Sequence, residues 1–276
     1  MINCKKLAQE IKEQCKGDWK PYYLKIIQVE GDEASNAYTK GKRKDCEEIG
    51  LGCQHVLLPN HCECYEVADE ITVGNYDPNC IGIILQLPLP KHIEPYKQQL
   101  ISEIMPSKDV DGFLPDSPFD PCTPAGILYI MKDYFKGALA GKTALIVGRG
   151  RLVGRPLAKM LDKENMTIIQ ANSYTPPWKI AHLLREADVA IIATGHLNTI
   201  NPNMVLELHD DTLVIDAGIN CDEDGKMVGD CSPMIYLYHD NITPVPGGVG
   251  LMTRAMLMKN CVDAIKLKEG ADNAKI

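Results

Sequence analysis

Short apolar runs rich in β-branched residues alternate with longer segments of helical periodicity along almost the whole chain. Alternation of this kind is typical of βα units built around parallel sheets. In the first half the pattern predicts strands at residues 22–29, 53–58 and 81–87, with helices near 35–49, 61–73 and 95–104. In the second half it predicts strands at 143–147, 166–171, 188–193 and 212–216, with helices near 125–135, 153–161 and 178–186.

A loop rich in proline and aspartate, residues 106–124, separates the two halves, and we place the domain break between Phe113 and Pro124. A last predicted helix, 253–268, has an apolar face and is expected to pack back on the protein. We therefore predict two α/β domains, the second a Rossmann-like dinucleotide-binding domain, with a cleft between them. The first comprises residues 1–120, joined by the C-terminal helix of about 255–276, and the second comprises 121–254.

Composition narrows the class of protein. The 276 residues are 45% apolar with a net charge of −8, which excludes a disordered or fibrous chain and makes nucleic acid a poor partner. The apolar stretches are shorter than the roughly 20 residues of a membrane helix, and the N-terminus lacks the apolar core of a signal peptide. We therefore expect a cytoplasmic protein without membrane contact, whose eleven cysteines are reduced thiols.

The cluster His61-Cys62-Glu63-Cys64 has the composition of a metal site. Because no second pair with zinc spacing follows it, we assign the cluster a structural or incidental role and expect no metal.

Residues 148–154, Gly-Arg-Gly-Arg-Leu-Val-Gly, join a predicted strand directly to a predicted helix. Glycines permit a sharp turn, and the free amides of a helix N-terminus attract a pyrophosphate. The GxGxxxG spacing differs from the usual GxGxxG, so a purely structural turn is the alternative. The flanking strand and helix favour a dinucleotide site.

The end of the next strand bears on which dinucleotide binds, since NAD-binding sheets usually carry an acid there for the ribose 2′-hydroxyl. Residues 170–175, Gln-Ala-Asn-Ser-Tyr-Thr, contain no acid. Ser173 and Thr175 can donate to a 2′-phosphate, and Arg149 or Arg151 can supply positive charge. NADP is favoured and NAD stays possible; the alternative is that these arginines are solvated loop residues.

A candidate reactive lysine lies in the first half. Ser35 is a good helix N-cap, and Tyr38 and Lys42 follow at i+3 and i+7 on the same helix face. Neighbouring cations at 40–44 and partial burial disfavour the charged form of a lysine, as acid–base chemistry near neutral pH requires. The alternative is a solvated basic face with a tyrosine that only packs.

Two further polar features stand near predicted strand ends. Gln86 ends an otherwise apolar strand, and the carboxyl ends of parallel strands line the ligand crevice of an open sheet. In residues 108–113, Lys-Asp-Val-Asp-Gly-Phe, an aspartate can form a turn or accept paired hydrogen bonds from a ligand with adjacent N–H donors.

These motifs stand in order over nearly the full length: residues 34–38 with Lys42 and Lys44, 86–90, 108–113, 121–124, 147–149, 153–156, 193–195, 216–220, 228–230 and 243–250. As a set they resemble the bifunctional methylenetetrahydrofolate dehydrogenase/methenyltetrahydrofolate cyclohydrolase family. The resemblance implies oxidation of 5,10-methylenetetrahydrofolate with NADP, then hydrolysis of the methenyl product to 10-formyltetrahydrofolate. It also implies a role in one-carbon metabolism and purine biosynthesis, and a homodimer.

The resemblance implies roles for matching residues. Lys42 would be catalytic, with Tyr38 near the aminobenzoyl portion, Gln86 bonded to the lysine and Asp111 on the pterin. Substrate-binding residues would be Ser35, Tyr38, Lys42, Leu85, Gln86, Leu87, Asp111, Pro246, Gly247 and Gly248. Cofactor-binding residues would be Gly148, Arg149, Gly150, Ser173, Thr175, Thr194, Gly195, Ile219, Gly247, Gly248 and Thr253.

This sequence departs from the family at three places. Serine is common at Gly150, a basic residue near Tyr174 and proline at Leu251. The first two departures remove possible contacts to a 2′-phosphate. Two other functions stay open: a shikimate- or amino-acid-type NAD(P) dehydrogenase, which leaves Gln86 unexplained, and a non-catalytic NADP-sensing protein, which needs no reactive lysine.

Overall fold

The computed structural model describes residues 1–273, without the side chains of 33, 34 and 271–273. The chain divides into two compact units. One, which we call the lysine unit because it contains Lys42, comprises 9–122 and the chain from 254 onward. The other, the glycine-loop unit, comprises 1–8 and 123–253 and contains the glycine turn at 148–154. The division passes through three helices, which begin in one unit and continue in the other.

The lysine unit contains a three-stranded parallel sheet of order β2-β1-β3. Its elements, with the helix that enters it from the other unit, are α1 (Cys4–Cys15), β1 (Tyr23–Val29), α2 (Glu33–Ile49), β2 (Gly52–Leu58), α3 (Cys64–Tyr76), β3 (Cys80–Leu85) and α4 (Lys97–Ser102). Two 3₁₀ turns, Glu94–Tyr96 and Pro106–Lys108, follow β3 and flank α4. The strands β1 and β3 are buried almost throughout, as expected for parallel strands covered on both faces.

The glycine-loop unit contains a four-stranded parallel sheet of order β5-β4-β6-β7. Its elements are α5 (Cys122–Tyr134), β4 (Thr143–Val147), α6 (Gly154–Lys163), β5 (Thr167–Ala171), α7 (Pro177–Leu184), β6 (Val189–Ile192), α8 (Pro202–Val205), β7 (Leu213–Asp216), β8 (Asn220–Cys221), β9 (Met227–Val228) and α9 (Ile235–Tyr238). The last helix, α10 (Val249–Asn273), begins in this unit and continues in the lysine unit. Among residues 1–273, no helix has the length and apolar character needed to cross a membrane.

The predicted α/β class with parallel sheets and the predicted strands are confirmed, whereas several helix ends differ. The structure adds α1, whose buried Leu7, Ala8, Ile11 and Cys15 follow a helical period, and the short elements α8, β8, β9 and α9. The predicted helix 61–73 begins at Cys64, because Glu63 and Glu66 form a capping box. The predicted helix 95–104 is a 3₁₀ turn followed by a short α-helix.

The C-terminal helix begins at Val249, earlier than predicted, and is buried on more than one face. Residues 274–276, the end of the predicted C-terminal segment, lie outside the described residues.

Candidate functional site

The start of α2 positions the predicted lysine face, but Ser35 is not its N-cap. Asp32, in an extended conformation, caps the helix, and its Oδ2 accepts a hydrogen bond of 2.7 Å from the Ser35 amide. Asp32 lies one turn earlier and is also a strong capping residue, so the helix extends back to it. The freed Ser35 hydroxyl donates to the Leu87 carbonyl at 3.2 Å, which ties the helix start to the segment after β3.

Lys42 lies on the inner face of α2 and is buried. Its Nζ donates to Gln86 Oε1 at 3.0 Å and lies 5.2 Å from the centroid of the Tyr38 ring. Gln86 directly follows β3, and its Nε2 donates to the Leu87 carbonyl at 2.8 Å. Because that bond occupies the amide nitrogen, the amide oxygen is the end that faces the ammonium group.

The other cations of the basic cluster are arranged differently. Lys40, Arg43 and Lys44 are exposed, whereas only 5% of Lys42 is accessible to solvent. The solvated basic face proposed as the alternative therefore describes three of the four cations. Lys42 is the buried exception.

The two aspartates of the loop after α4 have distinct environments. Asp109 is buried, and its Oδ2 accepts from the Leu114 amide at 2.7 Å, so it shapes the loop. Burial raises the pKa of Asp109 to about 6. Asp111 stays partly accessible, and loss of hydration raises its pKa, opposed by the Lys42 charge and a hydrogen bond from Cys122. Asp111 is thus the aspartate available to a ligand.

Asn260 on α10 holds the two ends of this loop. Its Nδ2 donates to the Val110 carbonyl at 2.9 Å and to the Asp120 carbonyl at 3.0 Å. The residue is buried, and besides these two carbonyls its Nδ2 contacts Cys122 Sγ at 3.5 Å. In the sequence Asn260 is visible only as one amide within the apolar face of the last helix.

Arg254, also on α10, holds α2 beside the lysine. Its Nε donates to Asp45 Oδ2 at 2.6 Å, and its Nη2 donates to the Gly41 carbonyl at 3.1 Å. Asp45 is buried and has a second cation, Lys12, at 3.3 Å. This contact is not predictable from the sequence, because Asp45 and Arg254 are 209 residues apart.

The predicted glycine turn joins β4 to α6, and two of its glycines are required by their surroundings. Gly148 has φ +116°, and a Cβ there would overlap the carbonyl of Ala193. A Cβ on Gly154 would overlap the carbonyl of Gly148, whereas Gly150 has open space around it. A turn this close, with exposed Arg149 and Arg151 at the start of a ten-residue helix, fits a pyrophosphate group.

The segment after β5 forms a tight turn with its side chains outward. The Tyr174 amide donates to Asn172 Oδ1 at 2.9 Å, and the Asn172 amide donates to Thr175 Oγ1 at 3.0 Å. Ser173 and Tyr174 are exposed, and the turn contains no acid. The donor set fits a ribose 2′-phosphate better than a bare 2′-hydroxyl.

The other predicted ligand residues follow later strands. Thr194 and Gly195 follow β6, Ile219 follows β7 and is 63% exposed, and Pro246 and Gly247 are exposed in the turn before α10. Thr253 Oγ1 lies 3.0 Å from Thr123 Oγ1. In the lysine unit, Leu85 has its side chain in the core, so its backbone is the part available to a ligand.

The sequence matches models of a known protein family over most of its length. Residues 2–111 match the family model "Tetrahydrofolate dehydrogenase/cyclohydrolase, catalytic domain", and residues 121–269 match its "NAD(P)-binding domain". The bifunctional protein FolD of Oceanobacillus iheyensis is 36% identical over 285 residues, 96% of each chain.

Solved structures agree with these matches. The bifunctional FolD dehydrogenase/cyclohydrolase of Campylobacter jejuni is similar at 36% identity and a TM-score of 0.87, covering 96% of this chain and 98% of that one. A FolD of Trypanosoma brucei, complexed with NADP cofactor and an inhibitor, is similar at 28% identity and a TM-score of 0.83, covering 96% and 95%.

Proposed function

The chain belongs to the tetrahydrofolate dehydrogenase/cyclohydrolase family, and from this premise we propose that it oxidises 5,10-methylenetetrahydrofolate and hydrolyses the methenyl product to 10-formyltetrahydrofolate. The observation that carries the proposal is the buried Lys42 ammonium group on Gln86 Oε1, at 3.0 Å. A lysine desolvated in this way and fixed by one amide is equipped to move a proton.

In the oxidation step the task of the protein is alignment. The folate nitrogen lone pair expels the hydride, so no protein nucleophile is needed. NADP, when bound, accepts this hydride. The Asp111 carboxylate accepts hydrogen bonds from the adjacent N–H donors of the pterin, and Tyr38 packs against the aminobenzoyl portion. These contacts hold the methylene carbon in position for hydride transfer, and this positioning is how they increase the rate.

In the hydrolysis step Lys42 acts directly. Water adds to the methenyl carbon and loses a proton, and a ring nitrogen must gain one before the C–N bond breaks. Lys42 Nζ assists both transfers, while Gln86 Oε1 keeps the lysine nitrogen oriented. Ser35 supports this arrangement through its bond to the Leu87 carbonyl, which also receives the Gln86 amide.

The cofactor belongs to the glycine-loop unit. The Gly148 turn and the N-terminus of α6 hold the pyrophosphate, with Gly150 leaving space above the turn. Ser173, Thr175 and the exposed Arg149 receive the 2′-phosphate of NADP. Thr194, Gly195, Ile219, Gly247, Gly248 and Thr253 contact the remaining parts. NAD stays a second substrate, because Gly150 and Tyr174 offer fewer contacts to that phosphate.

A shikimate- or amino-acid-type dehydrogenase is now disfavoured, because both family models match domains of the folate enzymes. A non-catalytic NADP sensor would not require Lys42 to be buried against Gln86.

The test is a spectrophotometric assay with 5,10-methylenetetrahydrofolate, comparing NADP with NAD and following the methenyl absorbance. We expect nucleotide reduction with little accumulation of methenyl product, and faster turnover with NADP. Absence of reduction with both nucleotides would refute the dehydrogenase proposal, and accumulation of the methenyl product would refute the cyclohydrolase proposal.

Three finer assignments belong to the same proposal: a homodimer, a cytoplasmic location and a supply of 10-formyltetrahydrofolate for purine biosynthesis. The eleven cysteines, all free, suit a reducing compartment. Light scattering on the purified protein tests the oligomeric state. A homodimer should have a mass of twice 30.5 kDa.

A further inference from the structure

Two buried carboxylates connect the ends of β6 and β7 in the glycine-loop unit. Asp216, the last residue of β7, is 1% exposed. Its Oδ1 accepts from the amides of Gly218 and Asp230, each at 2.9 Å. Its Oδ2 accepts from the Cys231 amide at 2.9 Å and from the Tyr236 hydroxyl at 3.1 Å.

Asp230 extends this network to the loop after β6 and is fully buried. Its Oδ2 accepts from the Thr194 amide at 2.6 Å, the Thr194 hydroxyl at 2.9 Å and the Gly195 amide at 2.9 Å. Its Oδ1 accepts from Asn220 Nδ2 at 2.8 Å. The carboxylate therefore holds two loops, one after β6 and one after β7.

Backbone amides, two hydroxyl groups and one side-chain amide donate to the two carboxylates. Such donors are how a buried carboxylate is held. Two negative charges thus lie below the surface where β6 and β7 end, held by N–H and O–H dipoles.

The strand order indicates which part of a dinucleotide lies above them. In a Rossmann-type sheet the pyrophosphate lies at the first βα turn, here after β4, and the adenosine ribose lies at the end of the next strand, here β5. In the order β5-β4-β6-β7 the nicotinamide half therefore falls on the side of β6 and β7. That is the side where Asp216 and Asp230 are buried.

We propose that Asp230, supported by Asp216, is a positioning residue that shapes the Thr194–Gly195 loop and whose charge makes the site prefer the oxidised cofactor. The oxidised nicotinamide ring is a cation and the reduced ring is neutral. A fixed negative charge nearby favours the first and leaves the second almost unaffected. This preference would speed release of the reduced cofactor after turnover. The inference rests on the proposed use of NADP.

The test measures dissociation constants of NADP⁺ and NADPH separately, by calorimetry and by NADPH fluorescence, for the wild type and for Asp230→Asn. The amide keeps the size of the side chain and removes the charge. We expect the ratio Kd(NADPH)/Kd(NADP⁺) to fall roughly tenfold or more, the effect of one charge about 10 Å away at the effective dielectric of a protein surface. A purely structural role would weaken both forms by the same factor and leave the ratio unchanged.

Two further variants separate charge from folding. Asn220→Ala removes a donor from Asp230 and keeps the charge, so the ratio should equal that of the wild type. Asp216→Asn removes the second buried charge and keeps the size of that side chain, so the ratio should also fall. If neither aspartate variant folds, the wild-type ratio decides, since a site that prefers the oxidised cofactor has a ratio above 1.

An unchanged ratio in the folded aspartate variants or, where neither folds, a wild-type ratio of 1 or less overturns the inference. Failure of the wild type to bind either form would instead count against the proposed function.

Discussion

The side chain of Lys42 is buried, whereas that of Lys44, two residues further along α2, is exposed to solvent. Its ammonium group donates to a neutral amide oxygen, Gln86 Oε1, and the Asp111 carboxylate is close enough for the two charges to interact. The amide holds the lysine nitrogen in position for proton transfer.

Replacement of this lysine tests its role. Lys42→Met keeps most of the side-chain volume and removes the proton-transfer group. We expect cyclohydrolase activity to fall at least about a hundredfold, the size usual for loss of a general acid–base group, while folate binding stays measurable. Lys44→Met is the matched control on the same helix and should retain activity. Full hydrolysis by Lys42→Met would sink the assignment.

Asp109 should leave a signature in the pH dependence of stability. Its pKa is about 6 in the folded protein, because of burial, and near 3.8 in the unfolded chain. The folded state therefore binds this proton more tightly. The stabilisation is complete below about pH 4 and is lost as pH rises through 6, a change of roughly 2–3 kcal/mol.

Urea unfolding of wild type and Asp109→Asn between pH 4 and 7 measures this contribution. The amide oxygen still accepts from the Leu114 amide, and the variant has no proton to lose. We expect the difference in free energy of unfolding between the two proteins to change with pH in the direction given. Asp116→Asn, an exposed residue of the same loop, should track the wild type. A constant difference for Asp109→Asn would contradict the assignment.

The residues predicted from sequence and those missed differ in where their partners lie. Tyr38 and Lys42 were found because helical spacing alone places them together, and Gln86 because a strand end was visible. Asn260 and Asp230 were missed because their partners are mainly backbone groups distant in the sequence. The contrast between Asp109 and Asp111 depends on burial, which a short loop sequence does not encode.

At the scale of elements, the strands were easier to predict than the helix ends. A run such as β4, buried at nearly every position, is visible as apolar sequence. The position of a helix end depends on which of several polar residues caps the helix. Here Asp32 is the N-cap in place of Ser35, and its side chain accepts a hydrogen bond from the Ser35 amide. The short elements α8, α9, β8 and β9 contain too few residues to show any periodicity.

Because Arg254 on α10 contacts Gly41 on α2, we expect replacement of this glycine by alanine to destabilise the protein, the opposite of its usual effect in a helix. In a helix interior, an alanine stabilises the helix by about 1 kcal/mol relative to a glycine. A Cβ on Gly41 would lie 2.6 Å from Cζ of Arg254, whose guanidinium group is fixed by Asp45. We therefore expect Gly41→Ala to lower the free energy of unfolding by about 1–2 kcal/mol, since the ion pair must shift.

A double-mutant cycle isolates this effect. In an Arg254→Ala background the Cβ meets no guanidinium, so Gly41→Ala should stabilise the protein by the ordinary helix preference. Urea midpoints of the four proteins provide the comparison. Stabilisation by Gly41→Ala in the wild-type background would show that Arg254 does not restrict this position.

At the scale of the whole molecule, the net charge of −8 predicts weak binding of an anionic cofactor, whereas the local cations predict tight binding. The total charge repels NADP, whereas the exposed Arg149, Arg151 and Arg155 around the glycine turn attract it. The screening length is about 10 Å at 0.1 M salt, so charges within the turn act on the phosphates and most of the surface does not. The local cations should therefore dominate.

Affinity measured against salt decides between the two. We expect the Kd of NADP to rise roughly tenfold between 20 and 500 mM NaCl, and that of NAD to rise less because it lacks the 2′-phosphate. The double variant Arg149→Gln/Arg151→Gln should reduce the salt dependence for NADP towards that for NAD. Tighter NADP binding at high salt would mean that repulsion by the acidic protein outweighs the arginines, and that the turn does not act as a local phosphate site.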